Sequence, residues 1–385
     1  MKGFSTKCVH KGTFHSEVKS VNTPIFQTSN FLLDDKDYEK IIEGKAIEVN
    51  LYTRYSNPSR RAVEEKIKEL EFADDAITFS SGMAAISTTL LTFLKPKGRL
   101  LTTIDIYGGT TYLVNNILKN YDIDVKHSDP FDTGDIIKKM KNVDVILFES
   151  LSNPLLKLID IEEISKNKRE GQILIIDNTF LTPYNLNPMK LGVDIVIHSA
   201  SKYLNGHSDL IAGIVCGKKE YIDKIRENMI LLGGSMEPLS AFLLERGLKT
   251  LGIRMERHNK NGYEIARFLK GKKKVKKVFY PGLEEYPKYE LAKRLLKNGF
   301  GGMVTFVIEG GDEEGVRFMH RLKIIKEATS LGGVESLVSM PFNTSHTGLS
   351  EEERIKIGIE PGTIRLSCGI EDVEDLKDDL ENALS

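Results

Sequence analysis

The sequence is poor in cysteine and shows no cluster of metal-ligating residues. Its three cysteines, Cys8, Cys216 and Cys368, are scattered, and no Cys-x-x-Cys or Cys/His grouping occurs. We therefore expect neither a disulfide framework nor a metal site. Cys216 and Cys368 stand in apolar runs, which is typical of small buried residues.

An excess of charge of one sign is also lacking, as are long hydrophobic runs. The chain has 54 basic and 55 acidic residues, for a net charge of −1, whereas a nucleic-acid surface needs a basic excess. No apolar stretch is long enough to cross a bilayer, and the first residues lack the apolar core of a signal peptide. We therefore expect a cytoplasmic protein that binds a small molecule, not a nucleic acid or a membrane.

Short apolar runs alternate with helical patterns between residues 57 and 217. A chain of 385 residues with 40% hydrophobic content can form two or three domains with full cores. Strands that alternate with helices indicate an α/β fold with a mostly parallel sheet covered on both faces. The predicted strands are residues 76–79, 100–104, 145–148, 173–176, 193–197 and 211–215.

Helical spacing returns over residues 237–270, where Gly247 and Gly252 argue against one unbroken helix. Beyond it the predicted strands are more widely separated, which indicates a smaller α+β domain that ends in a helix over 375–384. We predict an irregular N-terminal segment with oligomer contacts over 1–50, an α/β domain over 51–245 and an α+β domain over 246–385. The predicted strands of the last domain are residues 275–279, 303–308 and 363–368.

Lys202 is the most informative residue, because it follows a predicted buried strand among small hydroxyl residues, in the segment HSASKYLNGHSD. Burial disfavours the charged form of a lysine and lowers its pKa. An amine with a lowered pKa is a nucleophile that can form a Schiff base with a carbonyl group. The alternative, a lysine in a structural ion pair, stays open on these residues alone.

The other strand ends carry chemically useful residues, and ligands bind at the carboxyl ends of parallel strands. Ser80-Ser81-Gly82-Met83 opens a helix and offers backbone N–H groups to an anion. Tyr107, beside two glycines, can stack on a planar ligand. The remaining strand ends carry Glu149-Ser150, Asn153-Pro154 and Asp177-Asn178-Thr179. An anion cup, an aromatic face, a carboxylate and a lysine are together what pyridoxal phosphate requires.

Each of these motifs also has a structural interpretation. Ser81 or Asp177 could cap a helix, Tyr107 could be a core residue, and Asn153-Pro154 could form a turn. Arg365 lies inside an apolar strand, where it needs a partner. That partner is either a substrate carboxylate, which arginine binds through two hydrogen bonds, or an acidic side chain of the protein.

Eight ordered segments make the chain resemble the Cys/Met-metabolism family of fold-type-I pyridoxal-phosphate enzymes. The resemblance covers essentially the whole chain. It implies an α/β fold like that of aspartate aminotransferase and pyridoxal 5′-phosphate as cofactor. The matching segments are YTRYSNPSR (52–60), SSGMAAI (80–86), YGGT (107–110), ESLSNP (149–154), DNTF (177–180), HSASKYLNGHSD (198–209), SLGGVESL (330–337) and RLSCGIED (365–372).

The resemblance implies a role for each matching residue. Lys202 would bind the cofactor covalently and move protons, Asp177 would pair with the pyridine nitrogen near Thr179, and Tyr107 would stack on the ring. The cofactor phosphate would be held by Gly82, Met83, Ser199 and Ser201, and by Tyr52 and Arg54 of a neighbouring subunit in a homotetramer. Asn153, which also lines the cofactor site, Ser330 and Arg365 would surround the substrate carboxylate.

The implied reaction is elimination or replacement at Cγ of cystathionine or of a homoserine ester, as in cystathionine γ-lyase and γ-synthase. The alternatives are a methionine γ-lyase, an O-acyl-homoserine sulfhydrylase or, outside enzymes, a phosphate- or nucleotide-binding α/β protein. Leu51 and Thr329 stand where the cystathionine enzymes often carry acids. Gly109 stands where methionine γ-lyases usually carry cysteine.

Overall fold

Two β-sheets organise the molecule, a computed structural model that describes residues 1–17, 19–344 and 350–385. The strands of the larger sheet are Asp75–Phe79 (β1), Arg99–Thr103 (β2), Asp124–Ser128 (β3), Val145–Glu149 (β4), Ile173–Asp177 (β5), Ile195–Ser199 (β6) and Gly213–Gly217 (β7). Their order is β1-β7-β6-β5-β4-β2-β3. The pairs from β6 to β3 are parallel, and β7 is antiparallel to both of its neighbours.

The smaller sheet follows in the last third of the chain. Its strands are Val275–Phe279 (β8), Met303–Ile308 (β9), Lys326–Glu327 (β10), Leu337–Ser339 (β11) and Thr363–Ser367 (β12), in the order β10-β11-β12-β9-β8. Only the short β10–β11 pair is parallel. The predicted mostly parallel central sheet and smaller α+β part are both confirmed. The domain limits at residues 50 and 245 stay a prediction.

Fifteen α-helices are present in the described part of the chain. They are Phe4–His10 (α1), Asp35–Ile42 (α2), Pro58–Glu71 (α3), Gly82–Phe93 (α4), Gly108–Tyr112 (α5), Thr133–Met140 (α6), Ile161–Lys166 (α7), Thr182–Asn185 (α8), Lys219–Leu232 (α9), Pro238–Leu248 (α10), Leu251–Lys270 (α11), Tyr289–Leu295 (α12), Gly311–Arg321 (α13), Glu351–Ile357 (α14) and Val373–Leu384 (α15). Short 3-10 turns lie at Ala46–Glu48, Leu118–Tyr121, Pro188–Leu191 and Pro341–Asn343, and a π-helical turn at Leu113–Ile117. None of the described helices combines the length and the apolar character that a membrane crossing requires.

Alternation along the buried strands explains how both faces of the larger sheet are covered. Leu174 and Ile176 of β5 join a core that includes residues of α3 and α10. Ile175, on the opposite face, joins a second core with residues of α4 and α9. Side chains of successive strand residues point to opposite faces, so a fully apolar run needs helices on both sides.

The N-terminal segment and the 237–270 stretch differ from the simplest expectation. The first 50 residues contain α1 and α2, and Asp34 forms a capping box with Asp37 at the start of α2. The long amphipathic stretch is two helices, α10 and α11, separated at Lys249-Thr250. The two glycines that argued against one unbroken helix, Gly247 and Gly252, lie inside these helices and not at the break between them.

Candidate active site

The carboxyl ends of β4, β5 and β6 lie side by side and bring three polar residues to one edge of the larger sheet. Glu149 ends β4, Asp177 ends β5 and Ser199 ends β6. The register pairs Glu149 directly with Asp177 across the two parallel strands. This is the edge at which ligands bind in open parallel sheets.

Lys202 lies in the turn that follows β6, with its amine facing the smaller sheet. Its Nζ donates a hydrogen bond to the Ser330 hydroxyl at 2.6 Å. Burial and, to a smaller extent, the positive charge of Arg365 lower the pKa of Lys202 to about 8. No carboxylate forms an ion pair with this amine among the described residues, so a structural ion pair does not explain it. Near neutral pH a fraction of the amine is therefore uncharged and nucleophilic.

Asp177 is held by Thr179, two residues further along the chain. Its Oδ1 accepts hydrogen bonds from the Thr179 backbone N–H, at 3.0 Å, and from the Thr179 hydroxyl. Burial raises the pKa of Asp177, and the two bonds from Thr179 oppose this rise. The next helix, α8, has Leu181 as its N-cap residue, so the alternative of a helix-capping aspartate is wrong.

Thr179 also connects the carboxylate to the strand that precedes Lys202. Its Oγ1 accepts a hydrogen bond from the Ser199 backbone N–H at 2.8 Å. The same hydroxyl donates to Asp177. The ends of β5 and β6 are therefore joined by one side chain.

The N-terminus of α4 lies against Ser199. Ser81 caps this helix, because its hydroxyl accepts the Ala84 N–H at 3.0 Å, so the structural interpretation of this serine holds. A Cβ atom at Gly82 would stand 3.0 Å from the Ser199 Cβ, and only glycine leaves that space open. The first N–H groups of the helix have no partner within it, and they accompany a serine from the neighbouring strand.

Ser201 makes contacts inside its own loop. Its hydroxyl accepts the Ala212 N–H at 2.8 Å and donates to the Ala212 carbonyl oxygen at 3.3 Å. The hydroxyl of Ser201 therefore bonds to the Ala212 backbone in this structure. Its role as a phosphate ligand stays a prediction.

Tyr107 immediately precedes α5 and is 43% exposed, so it is not a core residue. A Cβ atom at Gly109 would lie 2.6 Å from Cε1 of the Tyr107 ring and 3.1 Å from the Met83 sulfur. The ring orientation seen here therefore requires glycine at position 109. Any side chain at this position would move the ring.

Arg365 projects from β12 of the smaller sheet and is 6% exposed. Its guanidinium donates to the Asn153 side-chain oxygen at 3.1 Å, the Ser330 carbonyl oxygen at 3.1 Å and the Ser339 hydroxyl at 3.2 Å. No acidic side chain pairs with it in the described part of the chain, so the structural ion pair is wrong. Burial lowers the pKa of Arg365 to about 10. A buried cation held by neutral groups is a site for an anionic ligand.

Ser330 contacts both cations and has an unusual backbone. Its φ is +78°, a region that residues other than glycine seldom adopt. Two residues later, Gly332 lies so close to the Lys202 turn that a Cβ atom would stand 2.7 Å from the Tyr203 nitrogen. This approach places the Ser330 loop against Lys202.

Tyr52 and Arg54 do not join these residues within one chain. Tyr52 is 42% exposed. The Arg54 guanidinium donates to the Ile230 carbonyl oxygen at 2.7 Å and lies over the Tyr52 and Tyr55 rings, at 5.6 and 5.2 Å from their centres. Their expected contact with a neighbouring subunit stays a prediction.

Glu149 is a residue at this edge to which the sequence analysis gave no role. Its two carboxylate oxygens accept the backbone N–H groups of Tyr107, at 3.0 Å, and of Asn153, at 3.1 Å. Burial raises the pKa of Glu149 well above its usual range, and the negative charge of Asp177 raises it further. The sequence did contain a signal that could have identified Glu149, because it follows an apolar run just as Asp177 does.

Comparisons with known proteins agree with this geometry. The family model described as "Cys/Met metabolism PLP-dependent enzyme" matches residues 5–385. The L-methionine gamma-lyase of Fusobacterium nucleatum subsp. nucleatum is 41% identical, over 99% of this chain and 98% of that protein. The chloroplastic cystathionine gamma-synthase 1 of Arabidopsis thaliana is 40% identical, over 95% of this chain and 65% of that protein. The crystal structure of cystathionine gamma-lyase from Lactobacillus plantarum complexed with L-serine superposes with a TM-score of 0.92 at 35% identity, covering 99% and 98% of the two chains.

Proposed function

Because the chain belongs to the Cys/Met-metabolism family of pyridoxal-phosphate-dependent enzymes, we propose that it eliminates or replaces the γ-substituent of a sulfur amino acid or homoserine ester. The family uses pyridoxal 5′-phosphate and acts in sulfur amino acid metabolism. The single observation that carries the proposal is that Lys202, with a lowered pKa, lies just beyond one edge of the sheet and close to the buried Arg365, which has no acidic partner among the described residues.

The residues present fit the cofactor. Asp177 is a half-buried carboxylate without an ion pair to lysine or arginine among the described residues, which suits a protonated ring nitrogen. Gly82 lets the start of α4 pack closely on Ser199, and the free N–H groups at the start of this helix, beside the Ser199 side chain, suit a phosphate. Lys202, Asp177 and Tyr107 would surround the ring, with Thr179 beside Asp177, and Gly82, Met83, Ser199 and Ser201 would hold the phosphate.

Pyridoxal phosphate, when bound, supplies an electron-withdrawing ring that stabilises negative charge at the substrate Cα. The residues of the chain would bind the substrate, orient it and transfer protons. Arg365, with Asn153 and Ser330, would bind and orient the α-carboxylate. Lys202, whose amine is mobile and partly neutral near pH 8, would remove the Cα proton and then a Cβ proton as the γ-substituent leaves.

The proposed substrates are cystathionine or a homoserine ester, as the names of the Arabidopsis and Lactobacillus relatives suggest. A second candidate, methionine, is favoured by the uncharged Leu51 and Thr329, which leave no acid there for the distal ammonium group of cystathionine. The methionine gamma-lyase of F. nucleatum supports the same candidate. We further propose a cytoplasmic homotetramer in which Tyr52 and Arg54 complete the phosphate site of a neighbouring subunit.

A product panel tests the function and separates the substrates. The purified protein is incubated in turn with cystathionine, methionine, cysteine, and an acylated homoserine with cysteine or sulfide. Ketobutyrate, pyruvate, methanethiol, cystathionine and homocysteine are then measured. We expect yellow protein and ketobutyrate or cystathionine among the products. Colourless protein that takes up no added pyridoxal phosphate would overturn the proposal, and pyruvate as the sole product would assign the reaction to Cβ.

A further inference from the structure

We propose that Glu149 is a positioning residue that holds the Tyr107 loop and the Asn153 loop together, so that the aromatic face and the carboxylate-binding group move as one unit. The inference rests on the function proposed above, because it takes the roles of Tyr107, Asn153 and Arg365 from it. Glu149 itself donates nothing to a ligand and acts through these residues.

The hydrogen bonds of Glu149 divide between two loops that are far apart in the sequence. One carboxylate oxygen accepts the Tyr107 N–H and the other accepts the Asn153 N–H. Neither loop is attached to the other by the sheet ladder, because both segments lie beyond the strand ends. A carboxylate with one acceptor for each loop therefore fixes the distance between them.

The chain of contacts continues from Asn153 into the smaller sheet. The Asn153 side-chain oxygen accepts a hydrogen bond from Arg365 Nη1. Glu149 thus acts on the guanidinium through one intermediate residue. On the other side, the N–H that it accepts belongs to Tyr107, whose ring is proposed to stack on the cofactor.

Glu149 is half-buried at the end of β4, and its desolvated carboxyl lies beside a second acidic group, which makes this arrangement costly. Its side chain has no lysine or arginine ion-pair partner in the described ranges, and it ends the strand next to Asp177, a second carboxylate. Asn153 is buried, and leaving its N–H without an acceptor would cost about 1–3 kcal/mol, so the Asn153 loop depends on this side chain. The bond to the Tyr107 N–H lies in an exposed position and adds the second point of attachment.

A double-mutant cycle tests the inference by binding and not by turnover. The probe is L-norleucine, which carries an α-carboxylate but no γ-leaving group. Its dissociation constant is measured on the holoenzyme from the change in visible absorption, for Glu149→Gln, Asn153→Ala and the double variant. The matched control is Glu170→Gln, which removes the same charge from an exposed loop.

We expect Glu149→Gln to weaken norleucine binding about 10-fold, because the amide nitrogen now faces a backbone N–H. In the Asn153→Ala background the same change should weaken binding less than about 3-fold, since contacting residues are not additive. The visible circular dichroism of the cofactor should also change in Glu149→Gln and not in Glu170→Gln. Equal factors in both backgrounds, or an unchanged dissociation constant, would overturn the inference.

Glu149→Asp keeps the test decisive if the glutamine variant fails to fold. The aspartate keeps the charge but is one methylene shorter, so it cannot reach both N–H groups. The same non-additivity with Asn153→Ala is expected. Failure of the proposed function is distinguishable, because it would appear in the unaltered protein as a lack of colour and of norleucine binding.

Discussion

The two halves of the site are built differently. The half that surrounds the predicted cofactor comes from adjacent strand ends of one sheet, and Thr179 joins Asp177 to Ser199 within it. The half that surrounds the predicted substrate carboxylate comes from the smaller sheet, and it meets the first half through few contacts. Those contacts include Lys202 with Ser330, Asn153 with Arg365, and the Pro154 carbonyl oxygen with the Thr305 hydroxyl.

This difference separates what is fixed from what can vary. Parallel strands of one sheet determine the spacing of the cofactor-side residues through the backbone register. The substrate side depends on side-chain contacts between two separate sheets, so small changes there alter the ligand without disturbing the sheet. Relatives of this chain with similar folds carry different activities in their names, which fits such a division.

We expect the largest effect from a substitution that removes the reactive amine of the cofactor half. Lys202→Ala should lower turnover by at least about 100-fold, since it removes the proton-transferring amine. Borohydride should no longer fix the cofactor to the protein, while the phosphate site should still bind it. Turnover and mass spectrometry of the reduced protein measure both, with the exposed Lys224→Ala on α9 as control. Full activity in Lys202→Ala would refute the assigned role.

A change in the substrate half should leave the cofactor half intact. Arg365→Lys loses the paired donors of the guanidinium, so we expect kcat/KM to fall about 10- to 100-fold, mainly through KM. The affinity for pyridoxal phosphate should change less than about 3-fold. Kinetics and equilibrium dialysis check the two values, against Arg317→Lys on the surface of α13. A comparable loss of cofactor affinity would show that the halves are not separable.

We expect the smallest effect on the free energy of unfolding and on its pH dependence, through the amine of Lys202 where the two halves meet. Because the pKa of Lys202 is lowered to about 8, the folded protein without cofactor releases a proton that the unfolded chain keeps up to about pH 10.5. The penalty from the charged amine is thus full below pH 8 and declines as the pH rises toward 10.5. Lys202→Met should therefore stabilise the cofactor-free protein at pH 7, on the order of 1 kcal/mol after solvent screening.

At pH 10 most of this stabilisation should be gone. Urea unfolding of the cofactor-free protein and of Lys202→Met at both pH values provides the measurement. A stability difference that is the same at pH 7 and pH 10 would mean that the amine keeps an ordinary pKa.

The apolar runs predicted most of the larger sheet, because a strand buried on both faces has a continuous hydrophobic signal. The edge strand β3 was missed since Val125 is its only strongly apolar residue. The short strands β10 and β11 carry too few residues for a pattern. Asp34 and Asp37 form a capping box at the start of α2, but none of the residues of this short helix is buried.

The site was predictable where it depends on strand ends and not where it depends on contacts between sheets. Asp177 and Lys202 follow apolar runs and could be found from the sequence. The bond between Lys202 and Ser330, and that between Arg365 and Asn153, join residues 128 and 212 positions apart. Only the packing of the two sheets brings such pairs together.

Ser330 joins the two cations of the predicted site. Its hydroxyl accepts a hydrogen bond from Lys202, and its carbonyl oxygen accepts one from Arg365. The residue predicted to bind the substrate carboxylate and the residue predicted to transfer protons are therefore both bonded to Ser330. If the carboxylate of a ligand is held at this place, the length of its side chain decides how far it extends from Ser330. Substrate specificity would then depend on the residues around the far end of the substrate side chain. We expect Leu51, Gly109 and Thr329, which differ from well-known relatives, to be among them.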